Sequence, residues 1–555
     1  MQELFSALSL WLSAHPLITG WYTAIARLLF PVLSALILVR AIRSLLRIPH
    51  TPEVWAQLSL PGGGSIPLTH WENILGRGKS ADAILNYPSI SRQHAALCRG
   101  EDGAWTVYDL GSKGGTAVNG TPVTEQAPVK LGDTITLGGV PLVFLPQTVG
   151  EREELEKKRQ AERPAAMWPS FLWLTVFQIL TAIQLTLAAG EKASPVIPIC
   201  FLILTAVMWL YAAALRLGRC VGFELETIAF YLSTLSLAVT ASSAPLGITL
   251  VLGKAKFGAT NWVTLGGISF QPSEIAKICY IFAGSATLER LFRRRNLALF
   301  IVLTGVCIGL LGLMSDFGTA AIFFVTFLVI AYLRSGDAAT LALICGGAAF
   351  GAGIIVQFKP YILSRFAAWG HAWEAASGSG YQQTRTMSAA ASGGLFGMGA
   401  GNGWLERIPA GDTDLVFGML CEEWGLVIAL LAVACILTLA WFAVRASRTG
   451  RSSFYTIAAC AAGSLLVFQT SLNVFGSVDL LPLTGVTFPF VSNGGSAMLS
   501  AWGLLAYLKA MDTRADASFA IGRAAERKLD EEAARMAAPA EDAFEKEDGH
   551  AEHQI

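Results

Sequence analysis

Charge is scarce in this chain. Asp, Glu, Lys and Arg make up 14% of its 555 residues, against about 25% in an ordinary soluble domain. The 40 basic and 40 acidic residues cancel, so no basic excess marks a nucleic-acid partner. None of the nine cysteines stands in a C-x-x-C pair, and Cys200, Cys307, Cys345 and Cys435 lie inside apolar runs. That excludes a zinc site or a disulfide framework and leaves packing residues. The stretch Gly397-x-Gly399-x-Gly401-x-Gly403 lacks both a G-K-[ST] ending and a preceding strand, so it makes a poor nucleotide loop. No small-residue cleavage site follows the first apolar run, which Arg40, Arg43 and Arg47 close instead. It reads as a retained anchor.

What the chain has in excess is apolar length. Hydrophobic residues reach 53%, mean hydropathy is +0.52, and a spanning helix needs roughly 17–25 apolar residues. Candidate runs lie at 17–39, 168–189, 194–215, 222–242, 273–290, 297–315, 319–333, 338–356, 415–441, 454–475 and 495–510. The fold class expected is a polytopic α-helical membrane protein. Cytoplasmic loops collect Lys and Arg. The clusters at Arg40–Arg47, Arg216 and Arg219, Arg290–Arg295, Arg334 and Arg445–Arg451 follow every second span. This places 243–272, 357–414 and 476–494 outside, and those loops are rich in Gly and carry carboxylates.

Residues 52–147 break the apolar pattern. Short alternating runs such as Trp105–Tyr108 and Thr134–Leu137, separated by Gly and Pro turns, predict an all-β sandwich. The expected organisation is an anchor at 1–48, the sandwich at 52–147 and a charged, helical linker at 148–166. The membrane domain follows at 167–511, with a charged, solvated tail at 512–555. The Arg40–Arg47 cluster and the charged linker bracket the sandwich and put it in the cytoplasm, with the tail.

Within the sandwich the polar residues cluster in turns: Gly76-Arg77, Ser91-Arg92-Gln93-His94 and Asn119-Gly120. Arginine, a hydroxyl and turn amides form a receptor for a doubly charged phosphate. With Asp109-Leu-Gly-Ser112 and Thr116 between them, these motifs resemble a forkhead-associated (FHA) domain, which binds phosphothreonine peptides. By that resemblance Arg77, Ser91, Arg92 and Lys113 face the phosphate, Asn119 shapes the peptide-facing loop, and Gly76 and His94 are structural. Lys113 and Gly114 stand where the family carries Thr-Asn, so the amide that grips the peptide backbone is missing.

Carboxylates within a membrane span need a partner or a task. Glu274 and Lys277 are three apart on one helix face, a spacing that lets them pair. Asp316 opens an external turn, Asp412 and Asp414 stand at the lip of the 415–441 run, and Glu422 and Glu423 lie about two turns into it. The bland reading of Asp414 is a helix N-cap; Asp412 could do the capping as well, so Asp414 is not required for it. The bland reading of Glu422 and Glu423 is a brace against basic neighbours. Glycines in the long loop read as letting a re-entrant segment approach other backbone or a lipid headgroup.

Taken in order, these blocks resemble the SEDS family (shape, elongation, division and sporulation), of the RodA, FtsW and SpoVE type. The blocks are Gly258-Ala259 through Trp262, Gln271-Pro-Ser-Glu274-x-x-Lys277, Asp316-x-Gly-Thr319, Tyr381-Gln382 and Ser392-Gly-Gly-Leu-x-Gly397-x-Gly399. Pro409 with Thr413-Asp414, Glu422-Glu423-x-Gly425, Leu481–Gly485 and Pro489–Ser496 complete them. The resemblance implies about ten family helices after the N-terminal anchor, in a bacterial plasma membrane. Departures are Asn261 for Arg, Ser315 for Pro, Leu415 for Phe and Asn493 for Tyr; none removes a carboxylate.

What the resemblance implies is a peptidoglycan glycosyltransferase that polymerises lipid II outside the membrane, with Asp414 as the catalytic carboxylate. Glu274, Lys277, Asp316, Gln382, Arg385, Glu422 and Glu423 line the substrate cavity. A sugar hydroxyl needs a base, and a leaving diphosphate needs positive charge. Lys277, Arg385 or a divalent cation such as Mg or Mn are the options for that charge; no cofactor is required, because the donor is already lipid-activated. A class B penicillin-binding transpeptidase and a phosphothreonine-bearing protein are the expected partners. A lipid flippase and an inactive phosphorylation-regulated scaffold are the competing readings; a transporter would more often hold its charges at the midplane.

Overall fold

The first long apolar run forms a single helix, α1 (Pro16–Arg47), interrupted only by Pro31 in its sequence. The structure is a computed structural model that describes residues 15–47, 51–78, 81–100, 102–161, 164–190, 193–217, 220, 222–243, 263–265, 268–289, 294–335, 339, 341–349 and 369–514. The chain divides into two units: 1–49 with 162–448 and 454–517, and 50–161 with 449–453 and 518–555.

In the first unit the helices are α1 and, after the linker helix α2 (Val149–Ala161) of the other unit, α3 (Met167–Ala189), α4 (Val196–Leu217) and α5 (Glu224–Ser243). They continue with α6 (Pro272–Glu289), α7 (Arg294–Leu313), α8 (Phe317–Ser335), α9 (Tyr381–Gly393), α10 (Val416–Glu423), α11 (Leu426–Ala446), α12 (Ser453–Ser477) and α13 (Gly495–Met511). Among the described residues six helices are long and apolar enough to cross a membrane: α1, α3, α4, α5, α11 and α12. The span expected at 338–356 is described at 339 and 341–349, helical over the latter.

Burial separates lipid-facing helices from central ones. α4 has mean hydropathy 2.3 and only 22% of its span buried, whereas α5 has the lowest of the six, 1.3, with 94% buried. A helix wrapped by protein needs no lipid-compatible face, which is why α5 carries Glu224, Glu226 and a run of Ser and Thr. α1 is more than an anchor. It packs on α3, α5 and α11, and Phe30 sits 5.3 Å from the Phe177 ring and 5.0 Å from the Trp424 ring, contacts of about 0.5–1.5 kcal/mol each beyond their burial.

Two expectations change. The 415–441 run is not one span: Gly425, at φ 87°, separates α10 from α11. The chain at 512–514, assigned to a solvated tail, is buried. Arg514 pairs with Glu224 at 3.0 Å and with Asp512 at 2.7 Å, while Lys509 pairs with Glu226 at 3.1 Å. Alternating Ala and charge hid this, because the partners lie on α5, nearly three hundred residues earlier in the chain. Removing one member of such a pair strands a buried charge, at about 3–5 kcal/mol. Residues 515–555 of the tail lie outside the described residues.

The second unit holds two sheets of β1 (Ala56–Ser59), β2 (Ser65–Leu68), β3 (Glu72–Gly76), β4 (Ala83–Ile84), β5 (Ala95–Arg99), β6 (Trp105–Asp109), β7 (Thr116–Val118), β8 (Thr121–Pro122), β9 (Gln126–Val129), β10 (Thr134–Leu137) and β11 (Val140–Leu145). One sheet runs β2-β1-β11-β10-β7-β8 and the other β4-β3-β5-β6-β9. Alternate residues such as Leu97, Val107, Ile135, Leu137, Leu142 and Phe144 fill the space between them, as period-2 patterning requires. Segment 449–453 belongs to this unit: Arg451 pairs with Glu53 at 2.6 Å, and Ser452 Oγ donates to Glu72.

Candidate functional sites

The lip before α10 is held residue by residue. Asn493 donates from Nδ2 to Asp412 Oδ2 at 2.7 Å and from its backbone N to Asp412 O at 2.9 Å. Ser492 Oγ donates to Thr413 O at 2.6 Å and accepts from Phe488 N at 2.7 Å. Asn473 Nδ2, from α12, donates to Asp414 O at 2.9 Å and to Val486 O at 2.8 Å. Three consecutive residues are thus each fixed by a separate side chain, leaving Asp414 half-buried with Gly485 beside its Oδ2. The capping expected of Asp412 is not found: Leu415 is the N-cap and has no side-chain cap bond. Asn493 has taken Asp412 instead.

Glu422 and Glu423 brace backbone, not basic neighbours. Glu422 accepts from Trp404 N at 2.9 Å and Leu405 N at 3.0 Å, and Glu423 Oε2 accepts from Gly401 N and Ser242 Oγ, both at 2.9 Å. The glycine-rich loop lies directly on the end of α10: Met398 N donates to Glu422 O at 2.8 Å and Gly399 N to Glu423 O at 3.0 Å. A Cβ at Gly397 would collide with Glu423 O; the close backbone approach anticipated for these glycines is the one observed.

Glu274 and Lys277 pair as their spacing predicts, at 2.8 Å and almost wholly buried. Lys277 Nζ also donates to Gln469 Oε1 at 3.0 Å, and Gln469 Nε2 donates to Thr487 O at 2.9 Å. With two of its three donors so engaged, Lys277 is a weaker choice for a diphosphate than Arg385. That residue is exposed on α9, its guanidinium 5.4 Å from the Tyr381 ring centre. Gln382 Nε2, on the same helix, donates to Pro409 O at 2.9 Å. Asp316 Oδ1 accepts from Thr319 N at 3.1 Å and caps α8. Among the described residues no three His, Cys, Asp or Glu converge as a metal site. Gly258, Ala259, Asn261 and Trp262 lie outside the described residues.

Asn473, Gln469 and Ser242 were not singled out from sequence. Their signal was present: amides and hydroxyls inside apolar helices are costly unless paired, and α12 carries two such amides.

In the sandwich, Arg77, Arg92 and Lys113 are exposed around half-buried Ser91. The turns are sewn together through Arg77 N donating to Ser91 O at 3.0 Å and Lys113 N donating to Ser91 Oγ at 3.1 Å. His94 is fully buried; Ser91 N donates to its Nδ1 at 3.1 Å, so Nε2 carries the proton and donates to Gly115 O at 3.0 Å. Gly76 is required, since a Cβ there would meet Arg92 O. Asn119, at φ 50°, spends its side chain on the neighbouring turn, accepting from Thr134 N at 2.9 Å and donating to Asp133 at 2.8 Å. A Cβ at Gly114 would lie 2.7 Å from Gly138 Cα, so the missing amide has no room to return without a backbone shift. Burial raises the Asp109 pKa, but hydrogen bonds from Thr116 and Ser112 and from the Ser112 and Gly111 amides outweigh it and hold the carboxyl below its ordinary value.

A helical bundle with six helices long and apolar enough to cross a membrane among the described residues, and with two half-buried carboxylates at a loop lip, defines a multi-pass membrane protein that carries in the same chain a β-sandwich with basic residues exposed on its turns. Residues 167–516 match the FTSW_RODA_SPOVE family of cell cycle proteins, and residues 73–138 match the FHA domain. The chain belongs to the FtsW/RodA/SpoVE family. The probable peptidoglycan glycosyltransferase FtsW of Escherichia coli is 34% identical over 268 residues, 46% of this chain and 64% of the relative. That of Tolumonas auensis is 34% identical over 290 residues, 50% and 75%. The peptidoglycan glycosyltransferase RodA of Mycobacterium tuberculosis is 32% identical over 272 residues, 45% and 57%. The match therefore spans less than two thirds of the Escherichia coli relative.

Proposed function

We propose that this protein is a peptidoglycan glycosyltransferase that joins lipid II units, each a disaccharide-pentapeptide on an undecaprenyl diphosphate. The observation that carries the reading is the Asp412-Thr413-Asp414 lip. Asn493, Ser492 and Asn473 each hold one of its residues, while Asp414 keeps a half-buried carboxylate, in a chain whose relatives are named for that activity. Asp414 takes the proton from the 4-hydroxyl of the acceptor sugar as that oxygen bonds to C1 of the donor. The bond from C1 to the diphosphate oxygen breaks, the diphosphate leaves with its electron pair, and C1 inverts. Arg385 offers charge to the leaving group. By the distribution of Lys and Arg the lip faces outward and the FHA domain inward, where it tethers a phosphothreonine-bearing partner instead of touching sugars. A class B transpeptidase is the partner proposed for cross-linking the product.

The test is full-length protein in liposomes containing fluorescently labelled lipid II. The reading expects glycan strands that a muramidase digests. Labelled lipid that crosses the bilayer without polymerising would establish the flippase reading, and no change of either kind would leave the scaffold.

A further inference from the structure

Helix α1 precedes the sandwich and lies outside the family-matched residues 167–516, yet it borders a small, partly open cavity with the glycine-rich loop. Arg27 and Phe30 of α1, Gln184 of α3, Ala400, Glu423 and Trp424 are among its walls. Two of these groups are buried acceptors without a donor: Gln184 Oε1 and Glu423 Oε1, each on a residue 1% exposed. Both side chains are otherwise anchored. Gln184 Nε2 donates to Thr23 Oγ1 of α1 at 3.2 Å and to Ala400 O at 3.4 Å. Glu423 Oε2 is committed to Gly401 N and Ser242 Oγ. An unmade hydrogen bond at a buried carboxylate is costly.

The same cavity contains a cation. Arg27 lies thirteen residues before Arg40 in α1, about 20 Å along the helix axis, well within a hydrocarbon layer of about 30 Å. It is exposed and has no ion-pair partner among the described residues, and an arginine at that depth needs an acceptor. Of the other buried glutamates of this unit, Glu274, Glu226 and Glu224 each have a Lys or Arg, and Glu422 has a backbone amide on each oxygen, whereas Glu423 Oε1 has neither. For Glu423 the cation within the cavity walls is Arg27.

We propose that Arg27 closes onto Glu423 and Gln184 and acts as a positioning residue for the glycine-rich loop. Its guanidinium carries five donors in a planar fork, enough for both oxygens. The loop is the lever, because Glu423 holds Gly401 while Glu422 holds Trp404 and Leu405, and the chain runs on from there to Asp414. An element outside the family thereby becomes part of the site; the kinetic part of the claim rests on the function proposed above.

A double-mutant cycle on full-length protein tests it, using Arg27→Met, Glu423→Gln, the pair together, and Arg27→Lys, each followed by thermal unfolding and by lipid II polymerisation. Each single change is expected to lower kcat about tenfold at unchanged KM, the double variant to be no worse than either single, and Arg27→Lys to recover most of the loss. Unfolding should show the same non-additivity. Independent, multiplying effects, or a silent Arg27→Met, overturn the pair. Coupling in unfolding with unchanged kcat makes Arg27 a brace only and overturns its positioning role. Wild-type protein that makes no polymer overturns the function, while the unfolding cycle still decides whether Arg27 and Glu423 interact.

Discussion

Replacing Asn473 by Leu should cost this protein far more in rate than in stability. The side chain is 1% exposed, and its Nδ2 donates to Asp414 O at 2.9 Å and Val486 O at 2.8 Å. Its Oδ1 has no partner. Two lost hydrogen bonds remove about 1–3 kcal/mol net, and removing the orphaned oxygen returns about 1 kcal/mol or more. Leucine fills nearly the same volume, so little cavity cost is added. The net change is at most about 2 kcal/mol, a shift of only a few degrees in a domain of this size. The lip, however, loses the contact that fixes Asp414, the proposed base, and about 1 Å of misplacement costs about a hundredfold in rate. Initial polymerisation rates on labelled lipid II, with unfolding midpoints measured on the same preparations, give both quantities. A folded Asn473→Leu protein turning over within twofold of wild type would refute the claim that the lip must be held from α12.

Lys277→Met should destabilise by about 3–5 kcal/mol, because Glu274 is left charged and buried, and adding Glu274→Met should restore much of it; unfolding midpoints decide. Arg77→Ala should weaken phosphothreonine-peptide binding about tenfold to a hundredfold by removing a charge-assisted bond, read by calorimetry against the unphosphorylated peptide. The Asp109 carboxyl is depressed in the folded sandwich. Its contribution is therefore fully present above the unfolded value of about 3.9 and disappears as pH falls through the folded one. The sandwich unfolding transition should lose stability below about pH 4 in wild type and lose less in Asp109→Asn.

Local patterns and spacing were readable where the interacting residues are close in sequence. The Glu274–Lys277 pair follows from an i, i+3 interval, and the resemblance to the FHA family implied the His94 brace three residues after Ser91. The sandwich strands follow from alternation, since one face of each must be buried. What escaped depends on partners far apart in the chain. Arg514 looked like the start of a solvated tail until Glu224 on α5 supplied its counter-charge. Asp412 looked like a helix cap until Asn493 claimed it. The break at Gly425 was hidden inside one continuous apolar run, because hydropathy does not register a left-handed backbone and the loop packed against it. α1 read as a tether because its apolar face has the same composition whether it meets lipid or α3, α5 and α11.

The central claim is that Asp414 performs the proton transfer while Asp412 only holds the lip, and one comparison separates them. Asp414→Asn and Asp412→Asn are assayed side by side for glycan strands formed from labelled lipid II, after each is shown to unfold like wild type. Asparagine keeps the shape of aspartate but cannot take the proton. Asp414→Asn is predicted to form no detectable polymer, and Asp412→Asn, with an amide whose oxygen still accepts from Asn493, to retain substantial activity. Strand synthesis by Asp414→Asn near the wild-type rate would contradict the account.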